Sequence, residues 1–247
     1  MILSHRKKFL FISIPKNATT AMRHRLWRWA DVKAVGDRKS YFYHHVAGNK
    51  MEEYFNQEGL AWNEYYKFAF VRNPFSRIVS QYFYALKCAD SQKIKSCAPD
   101  YYKYCLRVKA GAQSFKDFLI KPEFQGTHQV SQLTWLTEDF NFVGKVENLP
   151  DDYMHVCREI GIKYKPLLIQ NTTKHKHYTE YYDDETIDLV YNKYKESIER
   201  FNYKFGMVFC SIFHCYFSTS TSFLKCSRSV PFQTSLFLIC CILSSSQ

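Results

Sequence analysis

Three short clusters in this 247-residue chain hold side chains that can do chemistry. The first is Ile14-Pro-Lys-Asn-Ala-Thr-Thr20. Lys16 brings a point charge, Thr19 and Thr20 bring hydroxyl donors, and backbone N–H groups at the start of a helix attract an anion. The set suits a phosphate or a phosphosulfate. It is not the nucleotide loop G-x-x-x-x-G-K-[ST], because it has no Gly. The second cluster is Arg72-Asn-Pro-Phe-Ser-Arg-Ile-Val-Ser80. The planar fork of Arg72 matches a phosphate, and Ser76 and Ser80 sit one helical turn apart on a shared face. The third is Tyr43-His-His-Val46, where an imidazole could take the proton of an attacking hydroxyl. Each cluster also has a plain structural reading: a capped turn with a solvated lysine, an arginine capping carbonyls, and histidines settled in a core or on a surface. Asn17-Ala-Thr19 also spells a glycosylation sequon, but a glycan there would block the loop.

The surrounding pattern says what positions these residues. Residues 9–14 form a short apolar run ending at Pro15, which predicts a buried strand. Met22, Leu26 and Trp29 recur at helical spacing, so Thr19 or Thr20 opens a helix. Residues 41–46 read as a second strand. On a strand successive side chains point to opposite faces, so only one of His44 and His45 could face a cleft. Residues 51–56 read as a helix and 68–71 as another buried strand. Asn73-Pro74 then supplies an N-cap and a first-turn proline. Phe75, Ile78, Val79, Tyr82, Phe83 and Leu86 form one stripe on the helix that follows. Residues 87–98 read as a loop, and Ser114 caps a short helix to Leu119. Residues 142–144 read as a strand, 151–160 as a helix, and Ile187, Val190, Tyr194, Ile198 and Phe201 mark the last helix. Strands alternating with helices predict an α/β fold: one P-loop-like domain over residues 1–206, with a central, mostly parallel sheet flanked by helices. Such sheets bind ligands at the carboxyl ends of their strands. Residues 207–247 are rich in Ser, Phe and Cys and contain no acidic residue, which marks a divergent tail. The tail's apolar runs, 207–217 and 236–243, are too short to span a bilayer as helices.

Composition narrows the partners. Hydrophobic residues make up 46%, with 19 Tyr and 21 Phe, enough for a packed core. The net charge is +11, and removing the tail's two cations leaves +9 for the domain. A basic domain attracts polyanions or phosphorylated ligands. No zinc finger, basic helix or RNP-like motif points to nucleic acid. Nine Cys show no metal-ligand spacing. Cys88 and Cys97 flank a polar stretch and could close it with a disulfide in an oxidising compartment. After Arg6, Lys7 and Lys8 the apolar run stops at Pro15, so no signal peptide or membrane anchor is visible.

At two of these clusters the chain resembles carbohydrate sulfotransferases. Phe11-Ile-Ser-Ile-Pro-Lys-Asn-Ala-Thr-Thr20 is similar to their 5′-phosphosulfate loop. The resemblance implies 3′-phosphoadenosine 5′-phosphosulfate (PAPS) as co-substrate. Lys16 would meet its bridging oxygen, and Asn17, Ala18, Thr19 and Thr20 would cradle the 5′-phosphate and sulfonate. The pattern R-N-P-x-x-R-x-x-S-x-Y from Arg72 to Tyr82 is similar to their 3′-phosphate element, which implies that Arg72 and Ser80 hold that phosphate. Arg77 would face the acceptor or be structural. The glycosaminoglycan 2-O-sulfotransferases carry their base in a His-x-His-Val element. Aligning on Val46 places His45 in that role, with His44 as its neighbour. Gln132-Leu-Thr-Trp-Leu136 and Phe142-Val-Gly-Lys-Val-Glu-Asn-Leu149 resemble the family's central region. Asn171-Thr-Thr-Lys-His-Lys-His177 before Tyr181-Tyr182 resembles its late loop, which implies that Thr173 and Lys174 close over PAPS. The expected reaction is in-line transfer of sulfonate to a sugar hydroxyl, without a metal. The acceptor that the resemblance implies is a carbohydrate, with an acidic polysaccharide among the candidates. The expected setting is the Golgi lumen or membrane. Two other readings share the residues: a non-catalytic glycan-binding homologue, and a nucleotide phosphotransferase, which should also show a Gly-rich loop and a Mg²⁺-binding Asp.

Overall fold

The computed structural model describes residues 1–125, 129–168 and 175–206. In chain order its elements are β1 (Ile2–Ser4), β2 (Phe9–Ile12), α1 (Thr19–Leu26), β3 (Val32–Lys33), α2 (Gly48–Gln57), β4 (Tyr66–Val71) and α3 (Pro74–Ala89). There follow α4 (Gln92–Cys97), α5 (Pro99–Gly111), α6 (Phe115–Ile120), β5 (Phe142–Lys145), α7 (Leu149–Glu159) and α8 (Asp184–Arg200). The strands form a five-stranded sheet in the order β3-β1-β2-β4-β5.

The sheet is mixed where a mostly parallel one was expected. β2–β4 and β4–β5 are parallel, but β1 pairs antiparallel with both β2 and β3. The cause is local: β1 and β2 are joined by a short turn in which Lys8 has φ 49°, so they return as a hairpin. The parallel half follows from the crossovers through α1 and α2 and through α3 to α6.

Alternation along the strands builds two cores. Phe9 and Phe11 of β2 and Phe68 and Phe70 of β4 pack with Met22 and Leu26 of α1 and with Tyr153, Val156 and Cys157 of α7. Leu10, Ile12, Ala69 and Val71 face the other way, against α2, α3, α5, α6 and α8. Gly144 lets β5 approach: a Cβ there would fall 2.6 Å from a Phe70 ring carbon.

Two expectations are corrected. Residues 41–46 are not a strand. Tyr43 N bonds Ser40 O (3.1 Å) and Val46 N bonds Tyr43 O (3.0 Å), so the segment runs through consecutive turns, and only Tyr43 makes an isolated bridge, to Val35. The aromatic residues that suggested a strand pack sideways instead; Phe42 meets Tyr54 edge-on at 4.9 Å. Residues 87–98 are not a loop either. α3 continues to Ala89, and Ser91 caps α4 by accepting from Ile94 N. Cys88 and Cys97 are free thiols, one buried on α3 and one exposed on α4. The expected tail, residues 207–247, lies outside the described residues.

Candidate active site

β2 and β4 are adjacent and parallel, with Ile12 beside Ala69. Their carboxyl ends therefore release two loops next to each other. The first loop turns tightly after Ile14, whose carbonyl accepts from Asn17 N (3.3 Å). Lys16 (φ 70°) and Ala18 (φ 55°) both adopt the left-handed region, which costs energy for a residue with a Cβ. Ala18 is the N-cap of α1 and no side chain caps that terminus. The first-turn N–H groups and the dipole of α1 thus face the loop. Thr19 is buried and Thr20 half-buried in that first turn.

Asn17 does something the sequence did not suggest. Its side chain turns inward, donating from Nδ2 to Phe70 O (2.8 Å) and to Gln132 Oε1 (3.0 Å). It braces the loop from beneath, so any cradling by Asn17 falls to its backbone.

The second loop leads from β4 into α3. Asn73 Oδ1 accepts from Phe75 N, and Pro74 occupies the first turn, as expected. Glu147 Oε1 accepts from Asn73 N (2.7 Å). Arg72 folds over the first loop. Its Nε and Nη2 donate to Ser76 Oγ (3.1 and 2.7 Å), and Nη1 donates to the carbonyl of Lys16 (3.4 Å). Ser80 follows Ser76 by one turn, buried on α3. The structure therefore brings Lys16 and Arg72 together.

Arg77 proves to be an anchor. It is buried, with Nε donating to Pro15 O (3.2 Å) and Nη1 to Val130 O (3.0 Å), while Nη2 has no partner among the described residues. Burial lowers its pKa to about 10. Lys16 Nζ rests 3.7 Å from the centre of the Tyr84 ring. Burial first, then repulsion from Arg72, lowers its pKa to about 7. Three cations of like sign share one corner, and none makes an ion pair with a carboxylate among the described residues. That arrangement favours an anionic ligand.

His45 meets the chain where it leaves β2 for the first loop. Its Nδ1 lies 2.6 Å from the carbonyl oxygen of Ser13, the residue after β2. A carbonyl only accepts, so Nδ1 carries the proton and Nε2 keeps its lone pair. Trp135 Nε1 donates to His45 O (2.9 Å) and fixes the turn. Burial lowers His45 to about 3 and His44 to about 4. Because the segment is a turn, the rule that the two histidines face opposite sides does not hold; their rings are 5.5 Å apart and perpendicular. Thr173 and Lys174 lie outside the described residues. After them, His175 stacks on Phe83 of α3 (5.0 Å) and Tyr182 OH donates to Phe75 O (2.8 Å), so the end of that segment is tied to α3.

Arg77, expected to face the acceptor or be structural, is tied to backbone carbonyls; the supporting roles that sequence reasoning missed are those of Gln132, Trp135 and Tyr84. Gln132 Oε1 accepts from Asn17 Nδ2 and Arg72 N (3.0 Å each), and its Nε2 donates to Arg72 O (2.8 Å) and Ser197 Oγ (3.0 Å). A polar amide heading the apolar turn Gln132–Trp135 was the available signal.

Among the described residues no group of three or more His, Cys, Asp or Glu is placed to hold a metal ion, and no helix is long and apolar enough to cross a membrane. Neither a search of curated proteins nor one of solved structures returned a match. The model of the sulfotransferase family does match, over residues 1–204, which takes in both anion-facing loops and the histidine turn. With most of its length inside that match, the chain belongs to the sulfotransferase family and is a sulfotransferase enzyme.

Proposed function

We propose that this enzyme moves sulfonate from PAPS to a hydroxyl of a carbohydrate, acidic polysaccharides included. The observation that carries the reading is the bond from Arg72 Nη1 to Lys16 O, which sets the two anion-facing loops side by side. One adenosine bisphosphate could then reach both. Lys16, the N-terminus of α1, Thr19 and Thr20 would hold its 5′ side; Arg72 and Ser80 would hold its 3′-phosphate. Thr173 and Lys174 are proposed to cover it. When bound, PAPS supplies the sulfonate to be transferred.

The chain's own residues do the rest by position and charge. His45, held through Nδ1, presents Nε2 to the acceptor hydroxyl and takes its proton. Lys16 offsets the negative charge that grows on the leaving phosphate oxygen, and Arg77 holds the Pro15 turn from which Lys16 projects. The His-His-Val46 element leans the acceptor towards glycans, and the resemblance that supplies it supports a Golgi-lumenal setting.

Calorimetry with adenosine 3′,5′-bisphosphate (PAP), beside ATP with Mg²⁺, tests the donor. Labelled PAPS offered with chondroitin, dermatan, heparan and neutral glycans tests the acceptor. Binding of PAP but not ATP, with label in a glycan, is expected. Preference for ATP would favour a phosphotransferase, and glycan binding without PAP binding would favour a non-catalytic homologue.

A further inference from the structure

We infer that Gln132 is a positioning residue that sets the spacing between the two phosphate-binding loops. The inference rests on the proposed donor. Gln132 is 1% exposed and does not reach the ligand side. A primary amide has two donor hydrogens and two acceptor lone pairs. Here each is used: Asn17 Nδ2 and Arg72 N donate to Oε1, and Nε2 donates to Arg72 O and Ser197 Oγ.

The pairing with Arg72 matters most. Gln132 engages both the N–H and the carbonyl of Arg72, the residue just past the end of β4. It acts on that peptide as a neighbouring strand would, continuing the ladder by one residue where the loop begins. The same oxygen holds Asn17, whose Nδ2 also bonds Phe70 O inside β4. One rigid amide plane thus fixes the second loop's backbone and the first loop's underside together. Ser197 secures that plane to α8.

A ligand with phosphates at both ends gains from correct spacing, because binding one end presents the other at high effective concentration. A ligand with one phosphate does not sense the spacing. The test is therefore a ratio. Affinities for PAP, 5′-AMP and 3′-AMP are measured by calorimetry on the full chain and on Gln132→Met, which conserves volume but makes none of the four bonds. PAP is expected to weaken about tenfold or more, with both monophosphates within about twofold of wild type. A merely structural role would lower the melting temperature and weaken all three ligands alike. An unchanged ratio of PAP to 5′-AMP affinity would overturn the inference. If Gln132→Met yields no folded protein, Gln132→Asn carries the same test, since it keeps an amide one methylene too short to span both loops. A wild-type protein that binds PAP no better than 5′-AMP would sink the donor reading, and this inference with it. A wild-type preference retained in the variants would sink the inference alone.

Discussion

Lys16 shows how a single residue is tuned. It sits in a left-handed conformation, against a tyrosine ring, near two arginines. Its charge is costly there, so its pKa falls to about 7. Below that pH the ammonium attracts the donor; above it the attraction fades. PAP affinity is expected to drop as pH rises from about 7 to about 9, and Lys16→Met should flatten that profile in calorimetry. Stability moves the other way. The unfolded chain keeps this proton up to its ordinary value of 10.5, so between 7 and 10.5 the unfolded state is the more protonated one and stability rises with pH. In labelled-transfer assays Lys16→Met should lose about a hundredfold or more in kcat with its fold intact. His45→Asn keeps a donor for the Ser13 carbonyl but has no base. It should cost about 10²–10⁴ in kcat while PAP affinity stays within a few-fold; equal losses in His44→Asn would reassign the role.

At the scale of elements, the two strand-to-helix junctions carry the site, and their supports extend into the sheet. Gly144 is where this can be probed. An added methyl would meet Phe70 and Phe142 ring carbons at 2.6 to 2.9 Å. Gly144→Ala should destabilise by about 1–3 kcal/mol, read from the urea midpoint. Because the Phe70 carbonyl holds Asn17, it should also weaken PAP binding. The junctions were legible in the sequence because local chemistry decides them: Asn73-Pro74 starts α3 and an apolar run ending at Pro15 makes β2. Where tertiary contacts decide, reading failed. The turn around His45 is fixed by bonds from Trp135 and to Ser13, distant in sequence, which outweigh its aromatic, strand-like composition. β1 and β3 are too short to leave a pattern. α5 was within reach, with Pro99 in its first turn and Tyr104, Cys105 and Val108 on one buried face, but the polar stretch before it masked its start. Gln132 looked like one residue of a motif match; only the folded chain shows it bonded to three separate segments.

Over the whole molecule, charge is distributed as well as concentrated. Away from the strand ends, Arg6, Lys7 and Arg28 lie 5.5, 5.3 and 5.1 Å from the centre of the Trp29 ring. Arg25, Arg28, Lys163 and Lys165 line a cleft of about 360 Å³ beside Tyr153 and Trp29, with no carboxylate among its lining residues. With a net charge of +11, capture of a sulfated polysaccharide should be salt-sensitive. Raising ionic strength from about 0.01 to about 0.15 M shortens the screening length from about 30 to about 8 Å. KM for such an acceptor should rise several-fold over that range, and a flat KM would point to a neutral one. The adjacency of the β2 and β4 ends has a further consequence. Half of the proposed donor site precedes the exposed turn at Gly59 and half follows it. A chain nicked at that turn would leave one half-site on each fragment, and neither fragment alone would retain the nucleotide. Bound PAP would then behave as an adhesive, slowing separation of the two pieces in proportion to its occupancy.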